Sequence, residues 1–143
     1  MHKLMRDFTF LHRRALGIQL ALFVLMLLAA CSKELTPVEK ATKAAKDSYD
    51  CLFAGDYEAF LNGRAGMDSI PESYKEQLLT SYKQFVVQQK KAHGGAASFS
   101  VTNAKVDSSL NVIQVFLMIN YADSLKEEIV VPMVEHNGEW KMK

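Results

Sequence analysis

The period of the apolar positions changes twice along this chain. From Ala15 to Cys31 (ALGIQLALFVLMLLAAC) they form a nearly solid run, with no polar or charged side chain between Leu20 and Ala30. From Thr36 they recur every third or fourth residue, and beyond Gly95 every second residue. Such an order predicts an apolar leader, then a helical half, then a sheet half.

The helical half opens sharply. Thr36-Pro37-Val38-Glu39 is a capping box, with Thr36 at the N-cap, Pro37 at the first helical position and Glu39 at the third. Val38, Ala41, Ala45, Tyr49 and Leu52 follow at steps of three, four, four and three, which makes one apolar stripe. Gly55 suits the left-handed stop after that helix. Asp56 caps a short second helix, Tyr57 to Leu61, closed by Asn62-Gly63. A third helix starts near Pro71, carries Tyr74, Leu78, Tyr82, Phe85 and Val86 on one face, and stops at His93-Gly94-Gly95.

In the sheet half, Ser98 to Val106 alternates loosely. Asn111 to Tyr121 is the strongest strand signal, with Ile113, Val115, Leu117, Ile119 and Tyr121 on one face. Its other face is mixed, carrying Val112, Gln114, Phe116, Met118 and Asn120, and Gln114, Phe116 and Met118 are candidates for an interaction surface. Ala122-Asp123-Ser124 is a turn, and Leu125 to Val134 a further strand in which Pro132 predicts an edge or a bulge. His136-Asn137-Gly138 predicts a tight type I′ hairpin into a closing strand, Glu139 to Lys143, with Trp140 and Met142 facing inward. Helices first and an antiparallel sheet after them define an α+β class, with N-terminal helices packed on a curved sheet.

The leader carries its own message. Lys3, Arg6, Arg13 and Arg14 stand against Asp7 alone before the apolar run, and small residues follow it, as in a secretory signal peptide. Ala15 to Ala30 is 16 residues and includes Gln19, short of the roughly 20 apolar residues that span a ~30 Å hydrocarbon core. An uncleaved anchor helix is therefore the second reading. Leu28-Ala29-Ala30-Cys31 resembles the bacterial lipobox. That resemblance implies cleavage between Ala30 and Cys31, a diacylglyceryl group on the Cys31 sulfur, and palmitate-like acyl chains that each hold the membrane by ~0.8 kcal/mol per buried CH₂. The bland alternative is that Cys31 merely closes an ordinary signal.

The chain then divides into a signal peptide (1–30), a lipidated Cys with a short tether (31–35) and one domain (36–143). Ser32 to Leu35 spans about 14 Å at ~3.5 Å per residue, close to the ~13 Å radius of gyration of such a domain, so the domain is expected to ride close to the bilayer. Ser32 after the Cys, in place of Asp, resembles lipoproteins sorted to an outer membrane. The expected location is the cell envelope, lipid-anchored, on the outer membrane facing the periplasm or the surface.

Losing the leader changes the charge. The 17 Lys+Arg lose four and the 16 Asp+Glu lose one, so a chain beginning at Cys31 carries about −2 instead of +1. That argues against a nucleic-acid partner, which calls for a basic patch. Lys40, Lys43 and Lys46 could meet anionic headgroups, although such spacing also describes a solvated helix face. Cys51 is the only other thiol; beside Leu52 and Phe53 it reads as a small buried hydrophobe.

A capped helix ending in Ala54-Gly55-Asp56-Tyr57, a short and then a longer helix, and a meander closing on Asn137-Gly138-Glu139-Trp140-Lys141 resemble the nuclear-transport-factor-2-like superfamily. This is the cystatin-like cone that also includes ketosteroid isomerase. Within it, the chain is similar to small bacterial envelope lipoproteins with a lumazine-binding-like domain of unknown function. The resemblance implies a sheet wrapped round the long helix, a pocket between them, and homodimerisation through the outer sheet face in many members. Tyr49, Tyr82, Tyr121 and Trp140 are the pocket candidates.

Catalysis of the isomerase kind needs an acid in an apolar pocket facing a donor. Of the candidate carboxylates, Asp56 reads as a cap, Asp107 and Asp123 as turn residues, and Asp50 as a polar helix-face residue. Glu127 alternates with Ile129, Val131 and Met133 but lies near a strand start, where exposure is expected, beside Glu128. No inward acid is paired with a donor, so no catalytic residue is assigned. His93 and His136 sit in Gly-flanked turns and read as solvated, not as metal ligands. No cofactor motif is present. Two readings remain: a non-catalytic envelope lipoprotein that binds a small apolar ligand or a protein partner, and an envelope enzyme of the isomerase or dehydratase kind using an acid or Tyr in the pocket.

Overall fold

A computed structural model describes residues 34–143. The expected signal segment 1–30, the expected cleavage junction Ala30–Cys31, the lipidation expected at Cys31 and the start of the tether lie outside the described residues. Leu35–Lys143 forms a compact unit, and its core cluster runs from Ala41 to Met142, so the unit carries a hydrophobic core of its own.

Helix α1 (Pro37–Ala54) begins as its sequence dictates. Thr36 Oγ1 accepts from the Glu39 N–H, the Glu39 carboxylate accepts from the Thr36 N–H at 2.7 Å, and Gly55 closes the helix at φ 89°. Asp56 caps α2 (Tyr57–Asn62) by accepting from the Ala59 N–H. Helix α3 (Glu72–His93) has no side-chain cap at Pro71 and ends on Gly94 at φ 74°. Strands β1 (Ala96–Asp107), β2 (Val112–Tyr121), β3 (Lys126–His136) and β4 (Glu139–Met142) form one antiparallel sheet in the order β1-β2-β3-β4.

The alternation of β2 decides which face is inside. Ile113, Val115, Leu117, Ile119 and Tyr121 are all buried, while Gln114, Phe116, Met118 and Asn120 are only half-buried on the outer face. Two register shifts in β1, at Ala96/Ser98 and Val101/Asn103, bend its edge of the sheet. Asn137 at φ 54° and Gly138 at φ 82° make the β3–β4 hairpin that Asn-Gly predicts. Pro132 pairs with Gln114, and its carbonyl accepts from the Lys143 N–H at 2.9 Å. Its missing donor thus falls at the point where β4 ends and β3 becomes an edge, as expected.

Three expectations need correction. The apolar face of α3 is only partly covered: none of its residues is fully buried, Tyr82 and Val86 pack half-buried against the core, and Tyr74 and Phe85 are 47% and 39% exposed. The cause is placement, because α3 rests on α2, α1 and β1, whereas α1 lies across all four strands. Cys51 is half-buried, outside the buried stripe of Ala41, Ala45 and Leu52. His93 is not free in solvent; its Nδ1 lies 2.8 Å from an Asp123 carboxylate oxygen and its ring 4.9 Å from that of Tyr121, which ties the end of α3 to the β2–β3 turn.

Candidate functional site

Because α3 stands off the sheet, a cavity of about 380 Å³ opens between it, α1 and the ends of β2 and β3. Tyr49, Leu52, Phe60, Tyr82, Phe85, Ile119 and Ile129 supply apolar and aromatic walls; Arg64, Gln89 and Glu127 supply polar groups. Its volume lies within the roughly 300–1,000 Å³ of ligand pockets. The rings lock one another: Phe60 meets Tyr82 edge-on at 4.9 Å and Tyr49 edge-on at 5.6 Å, and Phe53 meets Phe85 at 5.9 Å.

Arg64 is held by backbone, in the loop that leaves α2. It forms a bridge with Met142 of β4, flanked by Ala65 N–H to Met142 O and Met142 N–H to Gly63 O, both at 2.8 Å. Gly63 lets the same loop pass close to α1, since a Cβ there would lie 2.8 Å from Ser48 Oγ. The half-buried guanidinium donates from Nη1 to the Tyr82 hydroxyl at 3.3 Å. That is its one side-chain hydrogen bond among the described residues, and no carboxylate there pairs with it. A smaller hollow of about 180 Å³ adjoins it, with Tyr49 and Phe60 shared between the two. No sealed side-chain polar atom lacks a partner among the described residues, so the unused N–H groups of Arg64, which lines both hollows, are not sealed from solvent.

On the other side of the cavity, the Tyr121 hydroxyl donates to Glu127 Oε2 at 2.9 Å. Burial, and then this hydrogen bond, push the Tyr121 phenol up to about 12, so it stays protonated and stays a donor. Glu127 itself is exposed, at the mouth. Burial also raises the Tyr49 phenol; the Arg64 charge opposes that shift and the Glu127 charge adds to it, which places Tyr49 within the field of both.

The pocket candidates therefore separate. Tyr49 and Tyr82 line the cavity, and Tyr121 sits behind its mouth through Glu127. Trp140 does not join them; it lines a different cleft of about 440 Å³ beside Pro37, Val38 and Asn111. The acid of that cleft nearest the β1–β2 turn, Asp107, is spent on Ser109, Leu110 and Gln114. The last of these bonds also ties up Gln114 on the outer face. There, Phe116 and Met118 remain half-buried, and Val130, the partner of Phe116 in register, is 50% exposed. Lys43 pairs with Asp47, and Lys46 with Asp50 at 2.6 Å, so both lysines belong to an ion-paired, solvated face.

Arg64 and Gln89 were not foreseen from the sequence, and the Tyr121–Glu127 pair was not recognised. The pair could have been found. If Ala122-Asp123-Ser124 is a three-residue turn, Tyr121 faces Leu125, and odd positions on both strands share the inner face.

No protein-family model and no curated protein matches this sequence. Among solved structures, a Campylobacter jejuni protein provisionally named an NTF2-like transpeptidase matches with a TM-score of 0.57 over 70% of this chain and 94% of that one, at 10% identity. The fold is NTF2-like. At that identity the likeness speaks for the fold alone.

Proposed function

We propose that this protein is a cell-envelope lipoprotein, cleaved before Cys31 and anchored through it, whose domain binds a small molecule in the cavity under α3 without transforming it. What supports this reading most is the cavity itself: an aromatic-walled space with a half-buried arginine that no carboxylate among the described residues pairs with. Its lining is predominantly apolar and aromatic and contains no serine, threonine or cysteine.

Native mass spectrometry of the Leu35–Lys143 unit, purified without denaturation, tests the binding. A retained small-molecule mass is expected. A bare protein mass that also shows no chemical-shift change on titration with small amphiphiles overturns it. Fatty-acid labelling of the full chain tests the anchor, with label lost in Cys31→Ala.

The Tyr121–Glu127 pair favours a second reading, an isomerase or dehydratase with Glu127 as base. A phenol beside a carboxylate is material for proton transfer, but this carboxylate is exposed and its one phenol donor is turned on the carboxylate itself.

A further inference from the structure

We infer that the cavity under α3 selects a monoanionic amphiphile, a flat apolar body carrying one carboxylate or similar planar oxyanion, with the oxyanion seated on Arg64. This inference rests on the binding reading above and adds the chemistry of the ligand. The guanidinium is a rigid fork whose N–H groups match a carboxylate in pairs. Here the half-buried Arg64 side chain hydrogen-bonds only the Tyr82 hydroxyl among the described residues, which leaves its other N–H groups for a ligand. Its backbone is fixed from both sides by β4, so the fork is presented by a rigid element instead of a mobile loop. Around it stand Tyr49, Phe60, Tyr82 and Phe85, already engaged edge to face and able to take a flat ring system. Glu127 at the mouth limits the ligand to one negative charge, because a second oxyanion there would face a carboxylate.

Matched probes separate the charge requirement from apolar binding. 2-Naphthoate, 2-naphthamide and 2-naphthylmethylammonium share one ring system and differ in the head group. Titrated into the Leu35–Lys143 unit and followed by NMR shifts of cavity residues, 2-naphthoate is expected to bind roughly ten- to hundredfold tighter than the amide, the range of a charge-assisted hydrogen-bonded pair, with the cation weakest. Arg64→Gln should erase that preference while leaving amide binding in place, and Arg64→Lys should retain part of it. The comparison within the wild-type protein needs no variant, so a poorly folding Arg64→Gln does not remove the test. Equal binding of all three probes overturns the anion inference and leaves the binding reading standing. A carboxylate preference that persists in a folded Arg64→Gln protein overturns the assignment to Arg64. Absence of any shift with all three probes, together with a bare native mass, overturns the binding reading itself.

Discussion

Helices α1 and α3 are both long, both amphipathic, and packed in different ways. Helix α1 is capped at both ends and presses Ala41, Ala45 and Leu52 into the sheet until they are buried. Helix α3 lacks a side-chain cap, buries none of its 22 residues, and reaches inward with Tyr82 and Phe85. Side-chain size explains the contrast. Alanines on the inner stripe let a helix backbone come close to the strands, whereas large rings hold it away and leave space between them. The tight helix supplies the stability of the domain and the loose one supplies its cavity, in keeping with the lower local stability expected of binding elements.

The contrast breaks first at the sheet beneath α1. Leu117 is fully buried there, so Leu117→Ala should lose about 2–5 kcal/mol, the range for a truncated core leucine, read from urea unfolding of the Leu35–Lys143 unit. Ala45→Leu asks for space that α1 does not leave. It should lose about 1–3 kcal/mol through overpacking, and a neutral result would mean that small size at position 45 is not what seats the helix. Thr36→Ala removes the cap bond to the Glu39 N–H and should lose about 1 kcal/mol.

On the loose side, Phe85→Ala should lose only about 1 kcal/mol, because the ring is already 39% exposed. Its larger effect should appear in 2-naphthoate binding, where one wall of the site is removed. A loss as large as that of Leu117→Ala would place α3 in the core after all.

Much of α1 was legible because its signals are local. The box Thr36–Glu39, the stop at Gly55 and the step pattern of the stripe each need only a few consecutive residues. The same holds for the β2 alternation and the Asn137-Gly138 turn. The apolar face of α3 was equally visible, but periodicity tells which side of a helix is apolar and not how closely that side approaches its neighbour. Arg64 was illegible for a different reason. It sits in an unremarkable loop, and what makes it a site is a bridge to Met142 at the far end of the chain, together with a tyrosine from α3. Contacts of that kind leave no mark in any short stretch of sequence. Glu127 lay between these cases, since its face could be read from the alternation but its partner needed the register of the β2–β3 turn.

The smallest expected effect concerns the one place where the end of α3 is tied to the sheet. Asp123 is held below its ordinary value of 3.8, first by its hydrogen bond with His93 and then by the Leu125 N–H. A carboxyl whose folded value is depressed adds stability above its unfolded value and loses that contribution as pH falls through the folded one. Stability should therefore decline as pH falls through the acid range around and below that ordinary value, and Asp123→Asn should flatten part of that decline while lowering stability slightly at neutral pH. The pair is open to solvent, so the difference is small and should shrink further in high salt. Thermal unfolding of the two proteins across that range provides the check. If their acid limbs superimpose, the His93–Asp123 contact does not fasten α3, and the rings of Tyr82 and Phe85 alone set its distance from the sheet.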